Sequence, residues 1–370
     1  MTLPVYLDYA ATTPVDAGVT AAMLPWLAER FGNPHSPHRW GYEADAAIAV
    51  ARGSIADLLG VGPDTIRFTG GATEAVNAAL KGVLLAARPE RRRLVTLATE
   101  HSCVLESARW LESIGCGLTV LPVRPDGVVD LSALDAALGP DVALVSAMLV
   151  NNETGVIQPV AEIAARAHAA GALMHCDAAQ GFGKVDCTAL GADLVSVSGH
   201  KIYGPKGVGA LYRRPGVDLV PLLHGGGQED GRSGTLSPAL CVGFGTACAI
   251  AAGRMAADAA HAAMLETRLK RELRVTFRVN GGGAPRWPGI ANLTFDGIDA
   301  TRLLAAVRGL ALSTGSACAS ASGRPSHVLA AMGAADGVRI SFGRFTTEAE
   351  ITGSADAITD AVQRLTRRAA

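Results

Sequence analysis

The chain has 370 residues, of which 49% are hydrophobic and 18% charged, with 33 basic side chains against 34 acidic ones. That length holds one large domain and a smaller one with its own core, and the composition excludes extended disorder. The near-zero net charge excludes general electrostatic capture of nucleic acid or an anionic membrane, so direct nucleic-acid binding and membrane association are not expected.

The chain opens Met1-Thr2-Leu3-Pro4-Val5-Tyr6-Leu7-Asp8. It lacks the basic stretch and apolar core of a signal peptide, and a cytoplasmic protein is expected. Thr65-Ile66-Arg67-Phe68 then reads as a strand, followed by a Gly-rich turn and a helix over 72–85. Apolar runs at 94–98, 142–150, 173–176 and 194–197 are short, as buried parallel strands are. Between them lie helical patterns such as 159–170, opened by Pro159 and closed by Gly171. This alternation predicts an α/β fold with a mostly parallel sheet and helices on both faces.

The texture changes near residue 250. An Ala-rich helix is predicted over 251–273, then a Gly/Pro-rich stretch and a strand at Asn292-Leu293-Thr294-Phe295. Thr347-Glu348-Ala349-Glu350 is a capping box opening the last helix. The expected division is a large domain over 14–250 and a small α+β domain made of 1–13 and 251–370. The apolar runs break before 18 residues, so no membrane span is expected.

Seven cysteines without a CxxC pair argue against a disulfide framework or a metal site of the usual spacing. Cys176 sits in the apolar run Ala172-Leu173-Met174-His175-Cys176 and reads as a small buried residue. Cys318 differs. Its surroundings, from Ser313 to Gly323, are small and polar, leaving a buried cysteine or a reactive thiol open.

The chain has only five lysines. Lys201 follows an apolar strand and precedes a Gly/Pro turn in Ser198-Gly199-His200-Lys201-Ile202-Tyr203-Gly204-Pro205, where a strand end presents its side chain to a cleft. On its own this is the pattern of a lysine snorkelling at a strand end; desolvated, the same lysine can act as a Schiff-base amine. Asp177 ends another apolar run, placed either to hold a protonated pyridine nitrogen or to cap a helix. Gly70-Gly71-Ala72-Thr73-Glu74, between strand and helix, offers backbone N–H groups and the Thr73 hydroxyl to a phosphate. It fits neither a Walker A loop nor a dinucleotide fingerprint.

These elements together resemble the class V aminotransferase group of fold-type I pyridoxal phosphate enzymes, and within it the NifS/IscS-like cysteine desulfurases. Leu7-Asp8-Tyr9-Ala10-Ala11-Thr12-Thr13-Pro14, Gly32-Asn33-Pro34, Asn151-Asn152-Glu153, Ser198-Gly199-His200-Lys201, Arg232-Ser233-Gly234-Thr235 and Gly315-Ser316-Ala317-Cys318 are similar to successive motifs of that family. The resemblance covers nearly the whole chain. It implies a seven-stranded large-domain sheet and pyridoxal 5'-phosphate held covalently by Lys201. It further implies Asp177 on the ring nitrogen, Gln180 on the ring hydroxyl and His101 stacked on the ring as a catalytic group. Ala72, Thr73, Ser198 and His200 would hold the phosphate, joined by Thr235 from the partner subunit of a homodimer. Asn152 and Arg339, with Asn33 nearby, would hold the L-cysteine carboxylate, an arginine fork suiting that task; Arg344 is read as a structural ion-pair partner. Cys318 would take the sulfur as a persulfide on a flexible loop and pass it to an acceptor protein, leaving alanine.

A plain aminotransferase has no use for that thiol, so Cys318 separates the two activities. A selenocysteine lyase, or a sulfur-delivery subunit for iron–sulfur, tRNA, DNA or metabolite thiolation, remains an alternative. Two features depart from the family pattern: 225–235 is short, with Asp230 where a basic residue is usual, and the C-terminal tail that helps relatives dock an iron–sulfur scaffold is short too.

Overall fold

A computed structural model describes residues 3–315, 326–334 and 336–369. Nearly continuous apolar strands have no polar face to turn to solvent, and must be covered on both sides. The main sheet has seven strands, β2 (Ile66–Thr69), β3 (Arg93–Leu97), β4 (Gly117–Leu121), β5 (Val142–Met148), β6 (Leu173–Asp177), β7 (Leu194–Ser198) and β8 (Gly209–Arg213), in the order β2-β8-β7-β6-β5-β3-β4. Of these, β3, β5, β6 and β7 are the covered ones, whereas β4 is a half-exposed edge. Pairings among β3 to β7 are parallel, whereas β8 runs antiparallel to both its neighbours.

One core layer packs α2 (Arg39–Leu59), α6 (Val160–Ala169) and the first part of α7 (Pro238–Glu272) on the sheet, through Ile48, Ile55, Ile163, Phe244 and Cys248. The opposite layer uses α3 (Ala72–Ala86) and α4 (Ser102–Ser113), through Val76, Leu80 and Leu111. Parallel strands with helical crossovers bring the carboxyl ends of β5, β6 and β7 to one edge, and the cleft lies there.

A separate core gathers Leu7, Leu265, Leu269, Leu293, Ile340 and Ile358. It is built from β10 (Ile290–Thr294), paired antiparallel with β9 (Arg278–Val279) and β12 (Val338–Ser341), with α8 (Ala300–Ala306) and α10 (Glu348–Ala369) packed on it. The chain's start joins this core, since β1 (Val5–Tyr6) pairs with β11 (Leu310–Ala311). Helix α10 opens as the capping box predicts: Thr347 N and Oγ1 donate to Glu350 Oε2, and Glu350 N donates to Thr347 Oγ1.

The helix expected over 251–273 instead spans Pro238–Glu272 and contributes to both cores. Its start signal is Ser237, whose side chain accepts from Leu240 N, with Pro238 in the first turn. Gly243 and Gly245 within it are close-approach points. A Cβ on Gly245 would lie 2.4 Å from Ala51 Cα of α2, and one on Gly243 2.6 Å from Met23 Sδ of α1 (Ala17–Ala28). This helix is long and apolar enough to cross a bilayer by length and composition. Its apolar positions are spent on the two cores instead.

Candidate active site

The cleft at the strand ends has a volume of about 580 Å³ and brings together Ala72, Thr73, His101, Asn152, Asp177, Gln180, Ser198, His200, Lys201 and Arg339. Asp177 is the last residue of β6 and is buried, with Oδ1 accepting from Ala179 N. Burial pushes its carboxyl up, opposed by the charges of His101 and Lys201. A cation bound against Asp177 would complete what those two begin.

Lys201 closes a 3-10 turn, Gly199–Lys201, directly after β7. Its Nζ donates to the Ala10 carbonyl at 2.6 Å and to the Ala11 carbonyl at 2.8 Å. His200, beside it, shares a 3.1 Å hydrogen bond between Nδ1 and Thr12 Oγ1, and burial lowers its ring to about 4. His101 is the N-cap of α4, with Nδ1 accepting from Cys103 N at 3.2 Å, which leaves the ring proton on Nε2. Burial holds that imidazole below its ordinary value, against the pull of Asp177.

The turn before α3 is shaped for an anion. Gly71 caps the helix with φ at 145°, a region that L side chains rarely adopt, and it supplies no side-chain cap to the first N–H groups. Beneath it, a Cβ on Gly209 would sit 2.8 Å from Gly71 Cα and 2.5 Å from the Val197 carbonyl. Only a bare backbone lets β8 approach the turn this closely. Glu74 braces the turn from below, accepting from Gly70 N at 2.7 Å and pairing with Arg232 at 2.9 Å.

Arg339 stands on β12 and is 1% exposed. Nη1 donates to the Asn152 carbonyl at 2.8 Å and Nη2 to Asp8 Oδ1 at 2.7 Å, while Nε is buried with no partner among the described residues. A buried, unsatisfied guanidinium N–H on the wall of a cleft is costly until an acceptor arrives. Arg344 is fully engaged, pairing with Asp16 and Asp258 at 2.8 Å each and stacking on Tyr203.

Asn33 and Thr235 are exposed and lie outside the cleft lining of this single chain. Asn33 Oδ1 accepts from His35 N in its own turn. Cys318, and with it the whole of 316–325, lies outside the described residues. Six other cysteines are free thiols. Of these Cys103 lines the cleft, but burial drives its thiol far above the usual range, which suppresses the thiolate.

The unusual Asp230 has a local explanation. It pairs with Arg67 at 2.9 Å and with Arg213 at 2.5 Å, while Glu229 next to it binds Arg52 at 2.6 Å and accepts from Phe68 N. A basic residue at 230 would face two arginines. The shortened segment is therefore fastened to β2 and β8 by two consecutive acids.

The sequence assigns no individual role to several further residues near the site. Glu100 is fully buried, accepts from Met148 N at 2.7 Å, and has its second oxygen unpartnered among the described residues. Burial, with Asp177 adding to it, raises its carboxyl well above the usual range. Glu153 is also fully buried and accepts from Ser326 Oγ at 2.6 Å. Lys184 donates to Gln180 Oε1 at 2.6 Å. The carbonyls of Ala10 and Ala11 do work that no side-chain motif can announce.

The class-V aminotransferase family profile matches residues 5–353. A cysteine desulfurase IscS from Rickettsia akari (strain Hartford) is 44% identical over 379 residues, covering 99% of this chain and 92% of that protein. Among solved structures, a NifS-like protein superposes with a TM-score of 0.91 at 35% identity, covering 98% of this chain and all of its own. A second, described as SspA in complex with cysteine, gives 0.84 at 38% identity, over 93% of this chain and 100% of that one.

Proposed function

The chain belongs to the class-V aminotransferase family, and from that premise we propose that it is a pyridoxal phosphate-dependent cysteine desulfurase. The observation that carries the reading is the joint placement, in one cleft, of Lys201, Asp177, an uncapped helix start at Gly71 and the unsatisfied Arg339 Nε. These residues fit the cofactor: a primary amine, a buried carboxylate for the ring nitrogen, Gln180 for the ring hydroxyl, His101 for a ring face, and Ala72, Thr73, Ser198 and His200 for the phosphate.

When bound, pyridoxal phosphate supplies an electron sink that stabilises negative charge at the substrate Cα. Lys201 Nζ takes and returns the proton at that carbon, and Asp177 stays ionised to hold a proton on the ring nitrogen. Arg339 and Asn152 hold the substrate carboxylate, the Arg339 Nε gaining its missing acceptor. Asn33 closes on the substrate from the exposed turn at 32–34. Cys318 attacks the substrate sulfur as a thiolate: the Sγ–S bond forms, the Cβ–S bond breaks, and the electron pair and a proton remain with the carbon. Cysteine and the thiol thus give alanine and a persulfide, with no outside oxidant or reductant.

The acceptor we propose is a sulfur-carrying partner protein in the cytoplasm, of the kind that builds iron–sulfur clusters. The enzyme works as a homodimer in which the partner chain's copy of the exposed Thr235 completes the phosphate site. Support comes from the exposed apolar side chains of α1 and α2 and the turn between them, Leu27, Phe31, Trp40 and Tyr42, of which Phe31 stacks on Trp40 at 5.2 Å. Residues 14–250 form the cofactor-binding domain in this reading, and 1–13 with 251–370 the domain bearing Arg339 and Cys318.

The test is single-turnover mass spectrometry after addition of L-cysteine. One added sulfur is expected on Cys318, with one alanine released. Cys318→Ser should release no sulfur to an acceptor. Persulfide on Cys103 instead, or unchanged sulfur release by Cys318→Ser, would refute the assignment. Faster turnover of L-selenocysteine without any Cys318 persulfide would favour the lyase.

A further inference from the structure

The turn after Asp177 holds a second lysine whose position has consequences for the first. Gly181 N and Phe182 N both donate to the Ala178 carbonyl, and Lys184 N donates to the Gly181 carbonyl. Gly183 takes φ of 68°, and a Cβ there would press on Ile202 Cγ2 at 3.0 Å. This tight turn folds Lys184 back so that its Nζ meets Gln180 Oε1 at 2.6 Å. Gln180 is 4% exposed, and its Nε2 donates to the Ala10 carbonyl at 3.0 Å. The same carbonyl accepts from Lys201 Nζ at 2.6 Å.

These contacts fix which way round the amide stands. Turning it over would set Nε2 against the Lys184 amine, donor to donor, and Oε1 against the Ala10 carbonyl, acceptor to acceptor. The amide nitrogen has two protons, and Ala10 uses one. Gln180 borders the cleft, so the remaining proton is the one its amide has left for a group bound there. A donor stabilises an oxyanion, and an acceptor would not.

We propose that Lys184 is a positioning residue for the cofactor site: by donating to Gln180 Oε1 it locks the amide so that Gln180 donates to the ring oxygen of the bound cofactor. This rests on the pyridoxal phosphate reading above. The lysine stands behind Gln180, on a small cavity shared with Tyr9, Asp258, Tyr203 and Arg344. Of these, Arg344 and Asp258 satisfy each other. Burial and the charge of Lys201 lower the Lys184 amine to about 7. It donates to Gln180 in either protonation state, since the neutral amine keeps two N–H groups.

The test is a spectrophotometric titration of the cofactor–Lys201 link in the holoenzyme. Lys184→Met removes the donor and the charge, and both losses disfavour release of the link proton. Its titration midpoint should rise by about one pH unit, the scale of one lost charge or strong hydrogen bond beside the group. Lys184→Arg should restore the wild-type midpoint. In a Gln180→Leu background, Lys184→Met should add little further shift, because the effect passes through the amide. Should the Met variant not fold, the shorter Lys184→Leu repeats the measurement.

A Met or Leu variant that takes up cofactor and titrates like wild type overturns the proposal. So does a shift of equal size with and without Gln180. Wild-type protein that forms no link at Lys201 would instead overturn the functional reading, and this inference with it.

Discussion

His175 offers a sharp test of how the sheet holds the site, because it is a titratable group with no access to water. It lies on β6 two residues before Asp177, on the same face of the strand, and is completely buried. Its Nδ1 is 2.8 Å from Ser146 Oγ on β5, and its Nε2 is 2.9 Å from Ser196 Oγ on β7. One imidazole thus stitches three adjacent strands whose ends form the cleft. Burial drives its ring down to about 3.

The sign follows from linkage. Below the ordinary histidine value of about 6.5, the unfolded chain takes up a proton that the folded chain refuses until about pH 3. His175 therefore contributes full stability above about pH 6.5, and that contribution is lost as pH falls toward 3. At 1.36 kcal/mol for each unit, about 2 kcal/mol disappears between pH 7 and pH 5, and about 5 kcal/mol by pH 3.

His175→Gln keeps a polar group between the two serines and removes the titration. Urea unfolding at pH 7 and pH 5 should show wild type losing about 2 kcal/mol more than the variant over that interval, whatever the substitution costs at pH 7. Equal losses in the two proteins would refute the neutral, buried imidazole.

Glu100→Gln should act in the opposite direction along the pH axis. A carboxyl raised by burial contributes stability at low pH that is lost as pH climbs toward its folded value, so the glutamine variant should gain melting temperature on wild type at pH 8 and not at pH 4. No gain at pH 8 would mean that Glu100 ionises at little cost. Gly209→Ala should cost about 1–3 kcal/mol and weaken cofactor retention, since its methyl group would collide with Gly71. Gly253→Ala, in α7 with nothing within 4 Å, should be neutral or stabilising by about 0.5–1 kcal/mol; similar melting shifts for the two would contradict the packing argument. Arg339→Lys should raise the KM for L-cysteine by about tenfold or more while leaving the cofactor spectrum unchanged, because a point charge cannot serve Asn152, Asp8 and a substrate carboxylate together. An unchanged KM would remove Arg339 from substrate binding.

The parts of the site that were legible in the sequence sit where local pattern and chemistry coincide. Asp177 ends an apolar strand and Lys201 follows one by a single turn, and strand ends in a parallel sheet face the cleft. Gly70-Gly71 lies between a strand and a helix, where an anion turn belongs. The first turns of α7, from Pro238, lie outside the helix expected from the sequence; glycine weakens a helical pattern, and what Gly243 and Gly245 do depends on Met23 and Ala51, distant in sequence. Lys184 and Glu100 carried no signal for a similar reason. Nothing local marks a lysine in a Gly-rich turn or a glutamate after a strand; what sets them apart is the contact each makes in the fold, with Gln180 and with Met148.

The opening motif presses this point further. Its resemblance to a family signature is plain, yet the sequence alone assigns no individual role to any of residues 8–13. In the structure the strap works largely through its backbone. The Ala10 and Ala11 carbonyls hold Lys201, Thr13 N and Oγ1 donate to the His200 carbonyl, and Thr13 Oγ1 accepts from Tyr203 N. Asp8 meanwhile grips Arg339, Leu7 is buried in the second core, and Ala10 is buried in the first. A shift of the second core relative to the sheet would therefore pull on the carbonyls that hold the Lys201 amine. Arg339 and Lys201 are thus joined by four residues of chain, Asp8 to Ala11, and at the lysine end the coupling runs through main-chain oxygens that every sequence has.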